Sequence, residues 1–103
     1  MADYTKYDLI HEEEGKIGEL YLTDGGFEYK IFGRTDACRR LKRFLDQVKK
    51  DGGVFELTGG GKTEDEYWDA GQIFPVKRGA NLTPLHWNLA YLGVSLEEVK
   101  NEV

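Results

Sequence analysis

The 103-residue chain is poor in the residues that build catalytic and metal centres, with one cysteine, two histidines, one serine and two prolines. A single cysteine excludes an internal disulfide, and two histidines with one cysteine cannot supply a cysteine-rich zinc site. No stretch reaches the roughly 18 apolar residues of a membrane span, and the N-terminus lacks the pattern of a secretion signal. We therefore expect a cytoplasmic protein that uses no metal, cofactor or membrane.

The composition is sufficient for one folded domain. Apolar residues make up 40% of the chain and aromatic residues 13%, which can build one modest core in a chain of this size. No repeat, low-complexity segment or linker interrupts it. The sequence predicts a single domain over residues 1–103.

The net charge of −5 hides a strong segregation of charge. Residues 34–50 contain seven basic and two acidic side chains, a local charge of +5, so the remainder of the chain carries −10. Because salt screens charges beyond about 8 Å, local charge decides what a surface attracts. The sequence therefore predicts two electrostatic faces.

Alternating apolar and polar residues over 7–32 predict a three-stranded antiparallel meander. Its turns are expected at residues 14–15 and at 24–25, where Asp-Gly is typical of a type I′ hairpin turn, and a turn at 25–26 would keep the same faces. The expected register places Leu9 opposite Leu20 and Leu22 opposite Phe27. One face would then be apolar and the other mostly charged. The predicted apolar face consists of Tyr7, Leu9, Leu20, Leu22, Phe27, Tyr29 and Ile31.

A helix is predicted next, capped by Thr35 or Asp36 and ending before Gly52. Its apolar residues recur at helical spacing, and its other positions are largely basic. The stripe consists of Ala37, Cys38, Leu41, Phe44, Leu45 and Val48.

The second half is expected to contain two short strands and two short helices. The strands are predicted at Val54–Leu57 and at 72–77, separated by a glycine loop over 58–62 and a helical turn through Trp68. Thr83 is predicted to cap a helix that begins with Pro84 and ends before Gly93. A capping box that begins at Ser95 predicts another helix through Val103.

The predicted fold class is therefore α+β. An antiparallel sheet, made of the meander and two short strands, would be packed by the central basic amphipathic helix and by the two short C-terminal helices.

The basic helix is the first candidate site. Arg39, Arg40, Lys42 and Arg43 lie within about one and a half turns, and such a cluster can bind carboxylates or neutralise phosphates. Three interpretations stay open: a protein partner with acidic groups, a nucleic acid or phosphate ligand, and a solvated helix surface without a binding role.

The glycine loop over 58–62 invites a second interpretation. Lys62 and Thr63 end a Gly-Lys-Thr sequence, as in phosphate-binding loops, but Glu56 stands where the Walker A pattern needs glycine. The alternative is a solvated loop. Trp68 beside it would anchor an interface if its side chain were exposed.

Acidic residues form two further candidate surfaces. They can mimic a nucleic-acid backbone or keep a small protein in solution. The clusters are Glu12, Glu13 and Glu14, and Glu64, Asp65 and Glu66.

The material for catalysis is sparse. Cys38 belongs to the apolar stripe, which favours a core position over a nucleophile. His86, in the first turn of a predicted helix, is the residue on which a small enzyme could be built. The best hypothesis is a small interaction module, of the kind represented by phage-type inhibitors and accessory subunits. It would bind a protein or nucleoprotein partner through charged surfaces.

Overall fold

The computed structural model describes residues 4–62 and 67–100, with the side chains of 57–70 outside that description. It confirms the α+β class. A four-stranded antiparallel sheet has the order β3-β2-β1-β6, and β4 pairs with β5 in a separate two-stranded sheet. The elements are β1 (Thr5–His11), β2 (Gly15–Thr23), β3 (Gly26–Ile31), α1 (Asp36–Asp51), β4 (Val54–Lys62), β5 (Tyr67–Phe74), α2 (Thr83–Tyr91) and β6 (Val94–Val99).

The predicted pairing of β2 with β3 is confirmed. Leu22 lies opposite Phe27, and Glu19 lies opposite Lys30. The turn falls at residues 24–25 as expected, but neither residue has a positive φ. The turn is therefore not of type I′, because that type needs a positive φ at both central positions.

The predicted pairing of β1 with β2 is wrong by two residues. Tyr7 lies opposite Leu20, and the register shifts again between Leu9 and Ile10. The connection is a turn over residues 12–14. His11 holds it, because its Nδ1 accepts hydrogen bonds from the backbone N–H groups of Glu13 (3.1 Å) and Glu14 (3.2 Å). A shift of two residues leaves Leu9 and Leu20 on the predicted apolar face. The second shift turns Ile17, which lies outside that predicted face, into the core as well.

Helix α1 forms as predicted. Thr35 is the N-cap, and its hydroxyl accepts a hydrogen bond from the N–H of Cys38. Gly52 ends the helix in the left-handed conformation, with φ 81°, which glycine adopts without the steric cost of a side chain. The predicted stripe packs inward, although Phe44 is only half-buried.

The predicted last helix is instead the strand β6. It pairs antiparallel with β1, and Leu96 lies opposite Leu9. The capping box at Ser95 is a local signal worth about 1 kcal/mol, whereas six residue pairs with β1 satisfy backbone groups along the whole segment. Tertiary pairing therefore overrides the local helical preference.

Helix α2 is confirmed, but its predicted cap is wrong. Leu82 occupies the N-cap position and makes no side-chain capping bond. The Asn81 side-chain oxygen accepts a hydrogen bond from the backbone N–H of Thr83 at 3.0 Å. Gly93 follows the helix with φ 72°, in the role that the sequence predicts for it.

The predicted glycine loop is part of strand β4. Gly59, Gly60 and Gly61 pair with residues of β5 after a register shift that follows Leu57. Trp68 lies in β5, so a helical turn through it is wrong. Residues 63–66, the start of that predicted turn, lie outside the described residues. Backbone pairing outweighs the low strand propensity of glycine here.

The core lies between the inner face of the four-stranded sheet and the two helices. It includes side chains from the sheet, both helices, β4 and the segment after β5. Its buried apolar residues are Leu9, Ile17, Leu20, Leu22, Phe27, Ala37, Cys38, Leu41, Leu45, Val48, Val54, Val76, Leu85, Leu89 and Val94.

Candidate binding face of helix α1

The four predicted basic residues share the solvent side of α1. Because the helix buries the stripe from Ala37 to Val48 against the sheet, its remaining positions point outward. Arg39, Arg40, Lys42 and Arg43 are all exposed. The structure therefore brings these candidates together on one surface, which we call the outer face of α1.

Some of these cations have acidic partners on the protein itself. Arg39 pairs with Asp36, and Lys42 pairs with Asp46 at 2.7 Å. Lys49 reaches across to Glu28 on β3 at 2.6 Å. Exposed pairs of this kind contribute at most about 1 kcal/mol each, so an external anion can replace them at low cost.

Three other cations of the outer face have no such partner. Arg40, Arg43 and Lys50 are exposed and form no salt bridge with any residue in the described ranges 4–62 and 67–100. Their charge is therefore directed to solvent. A ligand that meets them displaces water and counterions but no described intramolecular carboxylate.

A groove adjoins the outer face where the first half of α1 passes strand β3. It has a volume of about 450 Å³ and is lined by residues of both elements. We call it the β3–α1 groove, and its lining consists of Tyr29, Ile31, Gly33, Arg34, Cys38, Arg39 and Lys42.

A hydrogen-bonded link between Tyr29 and Asp46 ties β3 to α1 near this groove. The hydrogen bond from Lys42 and the one from Tyr29 hold the pKa of Asp46 below its usual value. Burial and the link to Asp46 raise the pKa of Tyr29 to about 12. Asp46 thus stays charged and keeps Lys42 near the groove.

Two further candidates lie on the β4–β5 hairpin. Lys62 ends β4 and pairs with Tyr67, and Trp68 pairs with Gly61. Their side chains are outside the described part, so an exposed Trp68 and an anion site at Lys62 stay predictions. Residues Glu64, Asp65 and Glu66 also lie outside it.

The first acidic cluster occupies the turn between β1 and β2. Glu12, Glu13 and Glu14 are exposed there. Glu14 accepts a hydrogen bond from the Thr35 hydroxyl at 2.7 Å, so this turn lies beside the N-terminus of α1. The acidic and basic surfaces therefore meet at that end of the helix.

Cys38 and His86, the two other candidates for chemistry, lie in different surroundings. Cys38 is 2% exposed, with its Sγ 3.8 Å from the Phe32 carbonyl oxygen, as expected for a core cysteine. His86 is exposed in the first turn of α2.

Within the described ranges, no three His, Cys, Asp or Glu side chains cluster as metal ligands would. No helix in those ranges is long and apolar enough to cross a membrane.

A polar cluster on the outer side of the sheet was missed by the sequence reasoning. Glu19 is only 8% exposed, and its carboxylate lies 2.8 Å from the ammonium groups of both Lys6 and Lys16. It also accepts a 2.5 Å hydrogen bond from Tyr21. The closure of this cluster by Lys6 depends on the β1–β2 register, which the sequence did not predict.

The hydrogen bonds of this cluster shift two pKa values in opposite directions. Those from Lys16, Lys6 and Tyr21 lower the pKa of Glu19 to about 2. The hydrogen bond to Glu19, together with burial, raises the pKa of Tyr21 to about 12. The Glu19 carboxylate therefore stays charged at neutral pH, and its oxygens are paired with Lys6, Lys16 and Tyr21.

Exposed aromatic and aliphatic side chains were only partly anticipated. Trp87 and Tyr91 lie one turn apart on α2 and are 62% and 85% exposed. Phe55 and Ile73 lie opposite each other on the β4–β5 hairpin and are also exposed. The alternation of Val54, Phe55 and Glu56 was the available signal, because it puts Phe55 on the side opposite the buried Val54.

Comparison of the chain with protein families, curated proteins and solved structures returned no match.

Proposed function

We propose that this protein is a binding module that docks through the outer face of α1 onto an acidic surface of a protein partner. The observation that carries the proposal is the group of three exposed cations, Arg40, Arg43 and Lys50, which have no salt bridge to a described residue. Charges of this kind steer association and select partners of the opposite sign. An inhibitor or an accessory subunit acts in this way.

A discrete acidic patch fits the surroundings of α1 better than an extended nucleic acid does. The chain outside residues 34–50 carries a net charge of −10. The acidic turn over 12–14 also lies beside the N-terminus of the helix. A nucleic acid that continued past the helix would meet these carboxylates, whereas a protein can present acidic groups to the helix alone.

The experiment is affinity capture from the cells that produce the protein, with the bound protein identified and its stoichiometry measured. The test variant is Arg40→Glu/Arg43→Glu. The control is Arg78→Glu/Lys100→Glu, which changes the charge equally at two exposed sites outside α1 and the β3–α1 groove. We expect one stoichiometric acidic partner that the control retains and the test variant loses. Retention of the partner by the test variant would refute the proposal.

The nucleic-acid alternative is tested with the same variants and a labelled oligonucleotide. We expect no binding at physiological salt. Binding that falls steeply with salt and disappears in Arg40→Glu/Arg43→Glu would instead support the alternative.

A further inference from the structure

The β3–α1 groove combines an apolar floor with a basic rim. Tyr29, Ile31 and Cys38 supply its floor, while Arg34, Arg39 and Lys42 surround it. Its volume of about 450 Å³ is sufficient for one or two large side chains. A ligand for it needs a bulky apolar group with negative charges close by.

The groove stays open for a local reason. Gly33 has φ 129°, and a Cβ added there would lie 3.3 Å from the Cys38 Sγ. A side chain at this position would therefore crowd the floor as well as strain the backbone. Strand β3 also lies at the edge of its sheet, with β2 as its sole partner in the described part.

The rim cations are available to an external carboxylate. Arg34 is exposed and forms no salt bridge within residues 4–62 and 67–100. Arg39 and Lys42 hold exposed aspartates on the same helix. Exposed i,i+3 and i,i+4 pairs are worth a few tenths of a kcal/mol, so they can exchange for contacts with a ligand carboxylate, which are bidentate at Arg39.

One segment of the chain has the complementary composition. Residues 64–69 read Glu-Asp-Glu-Tyr-Trp-Asp, which places two bulky aromatic residues between acidic ones. The segment belongs to the connection between β4 and the start of β5. Tryptophan, tyrosine and arginine are the residues that most often dominate binding interfaces.

We propose that the β3–α1 groove binds the acidic-aromatic segment 64–69 of a second copy of this chain. An aromatic side chain would occupy the groove, and the flanking carboxylates would pair with Arg34, Arg39 and Lys42. The groove and the segment are different parts of the chain, so the contact is head-to-tail. It goes beyond the proposed function, because it uses Arg34, Arg39 and Lys42 of the groove rather than Arg40, Arg43 and Lys50.

Such a contact is compatible with the net charge of −5 on each copy. At physiological salt the Debye length is about 8 Å. The local attraction between the basic rim and the acidic segment therefore exceeds the screened repulsion between the more distant charges. We expect the association to weaken as salt rises.

The first test measures the oligomeric state of the full chain by sedimentation over a range of concentrations. Two variants each lose one half of the contact: Arg39→Glu/Lys42→Glu in the groove and Asp65→Lys/Glu66→Lys in the segment. We expect the wild type to associate with rising concentration and each variant alone to stay monomeric. A mixture of the two should form 1:1 dimers, because each variant retains the half that the other has lost.

The second test uses a synthetic peptide of residues 63–70 and amide resonances of the full-length segment variant. We expect shifts at Ile31, Gly33 and Cys38, and binding at least 10-fold weaker when serine replaces Tyr67 and Trp68 in the peptide. The control Arg78→Glu/Lys100→Glu, made in that variant, should bind the peptide normally.

Concentration-independent monomers, or peptide shifts confined to other surfaces, would overturn the inference. That result leaves the proposed function standing if partner capture still depends on Arg40 and Arg43. Conversely, association of copies without capture of an acidic partner would support the groove contact and refute the broader proposal.

Discussion

Glu19 illustrates how one charged residue is accommodated in the middle of a sheet. Its carboxylate is enclosed by Lys6, Lys16 and Tyr21 rather than by water. Removal of a partner from such a cluster leaves the others desolvated and unpaired, which costs about 1–3 kcal/mol. The cluster therefore joins β1 to β2 only while Glu19 is charged.

We predict that Glu19→Gln lowers the free energy of unfolding by about 1–3 kcal/mol at pH 7. The folded-state pKa of about 2 lies below the usual value of 4.5. The stabilisation by Glu19 is therefore complete above about pH 4.5 and is lost as the pH falls towards 2. Urea unfolding of both proteins at several pH values should show their difference shrinking over that interval.

The matched control is Glu97→Gln, which changes an exposed glutamate on β6 of the same sheet. Its effect should stay within about 0.5 kcal/mol at every pH. A pH-independent difference between wild type and Glu19→Gln would contradict the role assigned to the Glu19 charge.

His11 has a structural task in the turn over residues 12–14. We predict that His11→Ala lowers the free energy of unfolding by about 1 kcal/mol, because two backbone N–H groups lose their acceptor. His11→Asn should recover most of this loss, since an asparagine oxygen makes the same local bonds. Equal losses in the two variants, measured by urea unfolding, would argue against the acceptor role.

At the scale of elements, sequence patterns predict the structure correctly where residues close in sequence determine it. Thr35 and Gly52 bound α1 as predicted because capping bonds form within a few residues. The helix predicted from Ser95 onwards is wrong because the backbone of β6 pairs with β1, more than 80 positions earlier in the chain. No sequence pattern near Ser95 indicates this pairing.

A substitution at Ser95 distinguishes the observed strand β6 from the helix that the sequence predicts for this segment. In β6, Ser95 is exposed opposite Ile10. We predict that Ser95→Val leaves the stability unchanged or raises it by a few tenths of a kcal/mol, because valine favours strands. If Ser95 capped a helix, the same change would cost about 1 kcal/mol. Thermal unfolding distinguishes these outcomes.

At the scale of the whole molecule, the charge of the chain is divided between surfaces with different tasks. Carboxylates next to Lys6 and Lys16 stabilise the sheet, whereas the cations Arg40 and Arg43 have no described intramolecular partner. The first group belongs to the fold, and the second is available for binding.

We therefore predict that Arg40→Glu/Arg43→Glu folds with a stability within about 1 kcal/mol of wild type, since each exposed substitution is worth about 0.5 kcal/mol or less. Urea unfolding at neutral pH tests this. A larger loss would mean that these arginines serve the fold, and the capture experiment would then no longer report on binding alone.

The sequence by itself determined the α+β class, the β2–β3 register, helix α1 and the concentration of basic charge along it. All of these follow from period, caps and turns, which act over a few residues. The division of the net charge of −5 into +5 over residues 34–50 and −10 elsewhere is likewise a property of the sequence.

The tertiary structure alone decided the register of β1, the identity of β6, the continuation of β4 through its glycines and the enclosure of Glu19. Each depends on backbone or side-chain pairing between segments that are distant in sequence or separated by an irregular turn. Such pairing contributes more free energy than the local preferences that it overrides, and it leaves no periodic trace in the sequence.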